Sequence, residues 1–101
     1  MKRHKLVRDK IPQIIRDAGK EPTYHVAEHD AQARWLYHKM VEEADEFLEN
    51  PCAEEAADVY EVWLAMCAHH GLDVDAVTEL ASQKRALRGG FGGRVILEVA
   101  Q

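Results

Sequence analysis

The side chains best suited to chemistry are carboxylates in the central stretch, residues 40–61. Glu43 lies three residues before Glu46, and the same spacing separates Glu55 from Asp58. On a helix, side chains three residues apart are surface neighbours, with Cβ atoms about 5–6 Å apart. Each pair is therefore expected to point in one direction from its helix.

An Asn-Pro break at residues 50–51 lies midway between the two pairs. If the flanking helices fold back antiparallel, the pairs lie at matching levels, roughly 7 and 11 Å from the turn. At the nearer level, Glu46 lies opposite Glu55. At the farther level, Glu43 lies opposite Asp58.

Four carboxylates that face each other across a helix hairpin need a partner. Carboxylates within a few ångströms of one another disfavour ionisation and raise one another's pKa. A divalent cation removes that repulsion, and ligands that are all oxygen suit a hard ion such as Mg²⁺. The sequence therefore predicts a Mg²⁺ site whose ligands are Glu43, Glu46, Glu55 and Asp58.

Apolar periodicity predicts the two helices that must position these carboxylates. Apolar residues recur at helical spacing over about residues 30–49, and a second pattern runs from Pro51 to Gly71. On the second helix the apolar side chains cover an arc of roughly 200°, which exceeds one face. Because such a helix must be buried on two sides, we expect a homodimer or homotetramer.

The remaining segments predict shorter elements around this hairpin. A short helix is expected over residues 10–18 and a third main helix over residues 75–88. One or two short strands are expected, near Tyr24 and over residues 95–99. The predicted fold class is mainly α, an antiparallel helix hairpin in a small bundle, within a single domain spanning residues 1–101.

Composition limits the classes of partner. The chain has 101 residues, a net charge of −5 and a pI near 5.6, which argues against a nucleic-acid polymer or an anionic membrane surface. No apolar run approaches the roughly 18 residues of a membrane span, and no signal-like segment follows the basic start. Cys52 and Cys67, roughly 22 Å apart along one predicted helix, are expected to be free thiols. We therefore expect a cytoplasmic protein that does not contact membranes.

The order and spacing of the acidic motifs resemble one known superfamily. The all-α nucleotide pyrophosphohydrolases, which include the MazG-like and phosphoribosyl-ATP pyrophosphohydrolase-like proteins, carry EExxE followed by ExxD on adjacent helices. Here the motifs are EEADE at residues 42–46 and EAAD at residues 55–58. The opening KLVRDKIP and the closing RGGF are similar to one compact branch. Only eight residues separate the two motifs, fewer than in many members, and this is expected to change the pocket beside the metal.

The resemblance implies an activity and an all-α NTP pyrophosphatase-like bundle. The activity is Mg²⁺-dependent hydrolysis of a nucleoside triphosphate between the α and β phosphates, with Mn²⁺ as a substitute ion. The products are a nucleoside monophosphate and pyrophosphate, and the role is the clearance of unwanted nucleotides. The four carboxylates would hold the metal, and Glu43 or Glu46 would act as the general base.

Four basic side chains are candidates for contacts with the substrate. Lys84 and Arg88, together with Lys5 or Arg8, would offset charge on the leaving pyrophosphate. Both pairs also have plainer interpretations. Lys5 and Arg8 suit a solvated basic arm, and Lys84 and Arg88 complement the end of a helix.

Two other functions are compatible with the same residues. Within the same chemistry, the substrate would be phosphoribosyl-ATP in histidine synthesis. From another class, the chain would be a helical interaction module that binds a metal or a protein without catalysis. The broad apolar arc of the second helix favours the interaction module, because it requires a partner whatever the function.

Overall fold

The structure, a computed structural model of the chain, describes residues 4–98. These residues divide into two units, one up to Gly71 and one from Leu72. Residues 4–98 contain four α-helices and no β-strand, which confirms the mainly α class. The helices are α1 (Ile11–Asp17), α2 (Gln32–Glu49), α3 (Ala53–His69) and α4 (Val74–Arg88). The expectation of a single domain stays a prediction.

The first unit is built on the hairpin of α2 and α3, with a 3-10 turn at His29–Ala31 leading into α2. The helices run antiparallel, because Gln32 at the start of α2 contacts His69 at the end of α3, with 2.9 Å between Oε1 and Nδ1. Asn50 and Cys52 in the connection have extended φ angles of −141° and −149°. The predicted break is therefore confirmed, with three non-helical residues, 50–52, reversing the chain.

The core of the first unit is small. Leu36 on α2 and Val62 and Cys67 on α3 are its buried apolar residues. Large apolar side chains on both helices remain exposed, among them Tyr37, Val41, Leu48 and Tyr60. The hairpin therefore has apolar surface left over on its outer faces.

Helix α1 and the segment before it belong to the same unit. The backbone N–H of Ile11 donates to the carbonyl of Arg8 at 3.0 Å, and a proline occupies the first turn, where its missing N–H costs nothing. The helix ends before Gly19, whose φ of +83° lies in the left-handed region that favours glycine. This ending sends the chain into the irregular connection that leads to α2.

Helix α4 is the regular element of the second unit. Its N-cap is Asp73, whose side chain accepts a hydrogen bond from the N–H of Asp75 at 3.0 Å. It ends before Gly89, at φ +83°. Among the helices that the structure describes, no helix has the length and apolar content needed to span a bilayer.

The two predicted strands are not formed in the described part of the chain, so this expectation is wrong there. The segment around Tyr24 is irregular, and Val26 is 86% exposed. Residues 95–98 are likewise irregular and exposed, and Val99 lies outside the described residues. A strand is stable only when another strand pairs with its backbone, and the β-branched composition of a segment does not supply that partner.

Candidate metal centre

Three carboxylates from the two helices of the hairpin form one cluster. Glu43 on α2 and Glu55 and Asp58 on α3 each contribute one oxygen, and these oxygens lie within 4.8 Å of one another. Glu43 is buried, with 7% of its surface exposed, and the other two are half-buried. The antiparallel hairpin thus brings together three of the four residues that were predicted as metal ligands.

Two oxygens of this cluster lack hydrogen-bond partners among the described residues. Oε2 of Glu43 and Oε2 of Glu55 are both buried and unpaired. A buried unpaired polar atom costs about 1–3 kcal/mol, and more when it is charged. Such atoms in a folded protein call for an ion or an ordered water. Both oxygens are therefore available to a cation.

The dimensions of the cluster fit a small divalent cation. Mg²⁺ holds oxygens at about 2.0–2.1 Å in an octahedron, so adjacent ligands lie about 3 Å apart and opposite ligands about 4 Å apart. The limit of 4.8 Å on the separations among the three oxygens exceeds the distance between opposite ligands by less than about 1 Å. Carboxylates suit Mg²⁺, Mn²⁺ and Ca²⁺ alike. The donor set would therefore suit a hard divalent cation.

Glu46, the fourth predicted ligand, lies beside the cluster, not within the group of three. Its side chain is exposed near the end of α2. Repulsion from the Glu43 carboxylate raises the pKa of Glu46. Desolvation, a side-chain hydrogen bond with Glu43, and repulsion from Glu55 and Glu42 raise it further by smaller amounts. The charges of the cluster therefore affect the pKa of Glu46, although its side chain remains exposed to solvent.

Lys39 is a residue of this site that the sequence analysis missed. Its Nζ lies 3.1 Å from Oε2 of Glu42 and 3.2 Å from Oε1 of Glu43. Burial opposes the charged form of Lys39, but the contacts with the two carboxylates outweigh it and raise the pKa of Lys39. The signal was available in the sequence, since Lys39 lies three and four residues before two glutamates on one helix.

Arg8 is the second cation beside the cluster. Its Nη2 donates to Oδ1 of Asp58 at 2.7 Å, and its side chain is 57% exposed. Exposure to solvent keeps the net strength of such a pair low, about 0–1 kcal/mol. The segment that precedes α1 thus reaches the candidate metal centre through one weakly held cation.

A cavity of about 570 Å³ opens beside the cluster. Arg8, Glu43 and Asp58 contribute polar groups to its wall. The apolar part of the wall is formed by Leu6, Val7, Ile11, Ile14, Leu36 and Val62. This volume lies in the range of about 300–1,000 Å³ that is typical of small-molecule sites. The cavity thus combines an apolar wall with carboxylates suited to a cation.

The other predicted substrate contacts lie elsewhere. Lys5 lines a smaller cavity, of about 170 Å³, together with Trp35, His38 and Lys39. Lys84 and Arg88 lie on α4 in the second unit. The predicted contacts of these three residues with a substrate stay predictions.

Comparison with known proteins gives no match: no family model, no curated protein and no solved structure is similar to this chain. The resemblance to the nucleotide pyrophosphohydrolases therefore depends on the two acidic motifs and the short terminal sequences alone.

Proposed function

We propose that this chain is a Mg²⁺-dependent hydrolase that cleaves nucleoside triphosphates between the α and β phosphates. The observation that carries the proposal is the cluster of Glu43, Glu55 and Asp58 oxygens within 4.8 Å, beside a cavity of about 570 Å³. The motif order, EExxE then ExxD, supports the same reaction. The products are a nucleoside monophosphate and pyrophosphate.

The carboxylates would have two roles, because three of them would bind the cation and the fourth would act as the general base. Glu43, Glu55 and Asp58 would hold the cation, because one oxygen of each converges with the others. In addition, Oε2 of Glu43 and Oε2 of Glu55 are buried without hydrogen-bond partners among the described residues. A bound Mg²⁺ would neutralise charge on phosphate oxygens and lower the pKa of a bound water. Glu46 is the better candidate for the general base, since it lies beside the cluster, is exposed and is not one of the three converging ligands.

The cavity supplies contacts for the rest of the nucleotide. Its apolar wall, which includes Leu6 and Leu36, suits the face of a base, and its carboxylate side suits phosphates that carry a cation. Arg8 contacts Asp58 at the same wall. When the substrate binds, the guanidinium of Arg8 would leave this carboxylate and bind a phosphate of the substrate. Because the Arg8 contact is exposed, this exchange costs little free energy.

The direct test is release of pyrophosphate from a panel of ordinary and damaged nucleoside and deoxynucleoside triphosphates, with phosphoribosyl-ATP included. Turnover is expected with Mg²⁺ and not with EDTA. Glu43→Gln and Asp58→Asn are expected to lose turnover, whereas Asp45→Asn, an exposed position on α2, serves as the matched control. No turnover of any substrate, or unchanged turnover in both cluster variants, contradicts the proposal. Cation binding without turnover would favour the interaction module instead.

We also propose that the hairpin packs against a second copy of the chain, as a homodimer or homotetramer in the cytoplasm. Tyr37 and Leu48 on α2 and Tyr60 on α3 are exposed apolar side chains that such packing would cover. Cys52 and Cys67 are both free thiols, which suits a reducing compartment. Sedimentation equilibrium tests the assembly, and a monomeric chain at micromolar concentration contradicts it.

A further inference from the structure

Lys39 contacts two carboxylates of its own helix and lies next to the acidic cluster. Its Nζ is 3.1 Å from Oε2 of Glu42 and 3.2 Å from Oε1 of Glu43. The side chain is only 16% exposed and lines the cavity of about 570 Å³ as well as the smaller cavity of about 170 Å³. Breaking either contact would leave charged groups poorly solvated, so Lys39 holds its partners in fixed orientations.

The two oxygens of Glu43 have different surroundings. Oε1 contacts Lys39, and Oε2 is buried with no hydrogen-bond partner in the part of the chain that the structure describes. One oxygen of Glu43 also belongs to the group that lies within 4.8 Å with Glu55 and Asp58. Contact with Lys39 therefore fixes the carboxylate through one oxygen and leaves the other free for a cation.

We propose that Lys39 is a positioning residue, which orients Glu43 so that Oε2 remains available as a metal ligand. This inference rests on the metal site of the proposed function and not on nucleotide hydrolysis itself. The ammonium group of Lys39 is already shared by two carboxylates, so it acts through Glu43 and is not a phosphate ligand. Partners that orient metal ligands typically change metal affinity about 10–100-fold when they are removed.

Charge alone predicts the opposite effect. A positive charge beside a cation site repels the cation, so removing only the charge of Lys39 would tighten metal binding. Loss of positioning would weaken metal binding, because Glu43 could then turn away from Glu55 and Asp58. The direction of the change in affinity therefore separates positioning from simple repulsion.

The test is a Mn²⁺ titration of the full chain without nucleotide, with free Mn²⁺ measured by electron paramagnetic resonance. Lys39→Met keeps the length of the side chain and removes its charge. Arg34→Met, at an exposed position on the same helix, is the matched control. We expect Lys39→Met to bind Mn²⁺ about 10–100-fold more weakly and Arg34→Met to bind like the wild type. Unchanged or tighter binding in Lys39→Met would overturn the inference.

A milder variant decides the question if circular dichroism shows that Lys39→Met does not fold. Lys39→Arg retains the charge but changes the geometry of the contacts with Glu42 and Glu43. It is expected to weaken Mn²⁺ binding by a smaller factor. Wild-type affinity in Lys39→Arg means that the contact geometry of Lys39 does not position Glu43.

Failure of the inference is distinguishable from failure of the proposed function. A wild-type chain that binds no Mn²⁺ overturns both, because the metal site itself is then absent. Normal Mn²⁺ binding that weakens in the Lys39 variants supports positioning even if no nucleotide is hydrolysed. In that case only the proposed reaction is lost.

Discussion

Mg²⁺ is expected to raise the thermal stability of this chain, and the charges at the hairpin explain why. Two cations, Arg8 and Lys39, contact carboxylates of the site. Five carboxylates lie in the cluster or beside it, namely Glu42, Glu43, Glu46, Glu55 and Asp58. Among residues 4–98, three of these negative charges are therefore not balanced by either cation, and a divalent cation would compensate two of them.

The size of the expected increase in Tm follows from the linkage between Mg²⁺ binding and folding. A ligand that binds only the folded state adds about 2.7 kcal/mol of stability at 100 times its Kd. In a domain of about 60–100 residues, 1 kcal/mol corresponds to roughly 4–8 °C in Tm. We therefore expect saturating Mg²⁺ to raise the Tm by roughly 10–20 °C relative to EDTA.

The assay is thermal unfolding followed by circular dichroism over a series of Mg²⁺ concentrations. Monovalent salt at matched ionic strength is the reference, because screening alone reduces repulsion among the carboxylates. Glu55→Gln is expected to lose most of the Mg²⁺-dependent shift. Its neighbour Glu54→Gln makes the same change of charge at an exposed position outside the cluster and is expected to keep the shift.

A cation site shared by the three carboxylates is refuted if Mg²⁺ and matched monovalent salt raise the Tm equally. Equal Mg²⁺ shifts in Glu55→Gln and Glu54→Gln would refute it as well, because the effect would then depend on total charge. Either result would mean that the oxygens of Glu43, Glu55 and Asp58 do not act together on one cation.

Three further predictions concern single side chains of the first unit. Repulsion from Glu43 raises the pKa of Glu46 in the folded state, so its contribution to stability is present at acidic pH and is lost as pH rises through that pKa. Glu46→Gln is therefore expected to raise the Tm of the metal-free chain at neutral pH and to leave it unchanged at acidic pH, as measured by melting in EDTA across pH. Arg8→Gln removes the cation that contacts Asp58, so tighter Mg²⁺ binding without nucleotide and a higher KM for the nucleotide are expected, from calorimetry and the pyrophosphate assay. Weaker Mg²⁺ binding in this variant would contradict the proposal that Arg8 moves from Asp58 to a substrate phosphate. Leu36→Ala truncates the most buried apolar side chain of the core, at 3% exposure, and is expected to cost about 2–5 kcal/mol in urea unfolding. Val26→Ala, at 86% exposure in the irregular connection before α2, is expected to cost less than about 0.5 kcal/mol.

The spacing of the carboxylates predicted one of the two pairs across the hairpin, because helix geometry and one break fix which levels along the two helices meet. Glu43 and Asp58, equidistant from the turn in sequence, do lie in one cluster. Glu46 was expected there too. At 100° per residue it is rotated by about 60° from Glu43, which directs it towards the solvent-exposed edge while Glu43 faces the core. The spacing of residues in the sequence determines how far along a helix each side chain lies. Its angular position around the helix axis determines how deeply that side chain is buried.

The features that the sequence did not predict depend on contacts between distant segments. The ion pair between Arg8 and Asp58 joins residues 50 positions apart, and no local pattern selects that partner for Arg8 among the acidic residues. The two absent strands have the same explanation, since the composition near Tyr24 and over residues 95–98 favours strands but does not provide pairing. Lys39 is different, because helical spacing alone places it beside Glu42 and Glu43.

The two cations of the site differ in a way that assigns them different roles. The side chain of Lys39 is 16% exposed, whereas that of Arg8 is 57% exposed. Separating a buried ion pair costs about 3–5 kcal/mol, and an exposed pair contributes only about 0–1 kcal/mol. A divalent cation bound in the cluster would therefore displace Arg8 from Asp58 and leave Lys39 on Glu43. The displaced guanidinium would stay at the wall of the cavity, where the phosphates of a nucleotide would lie. If one cation both completes the metal site and releases Arg8, metal binding and substrate binding are expected to reinforce each other.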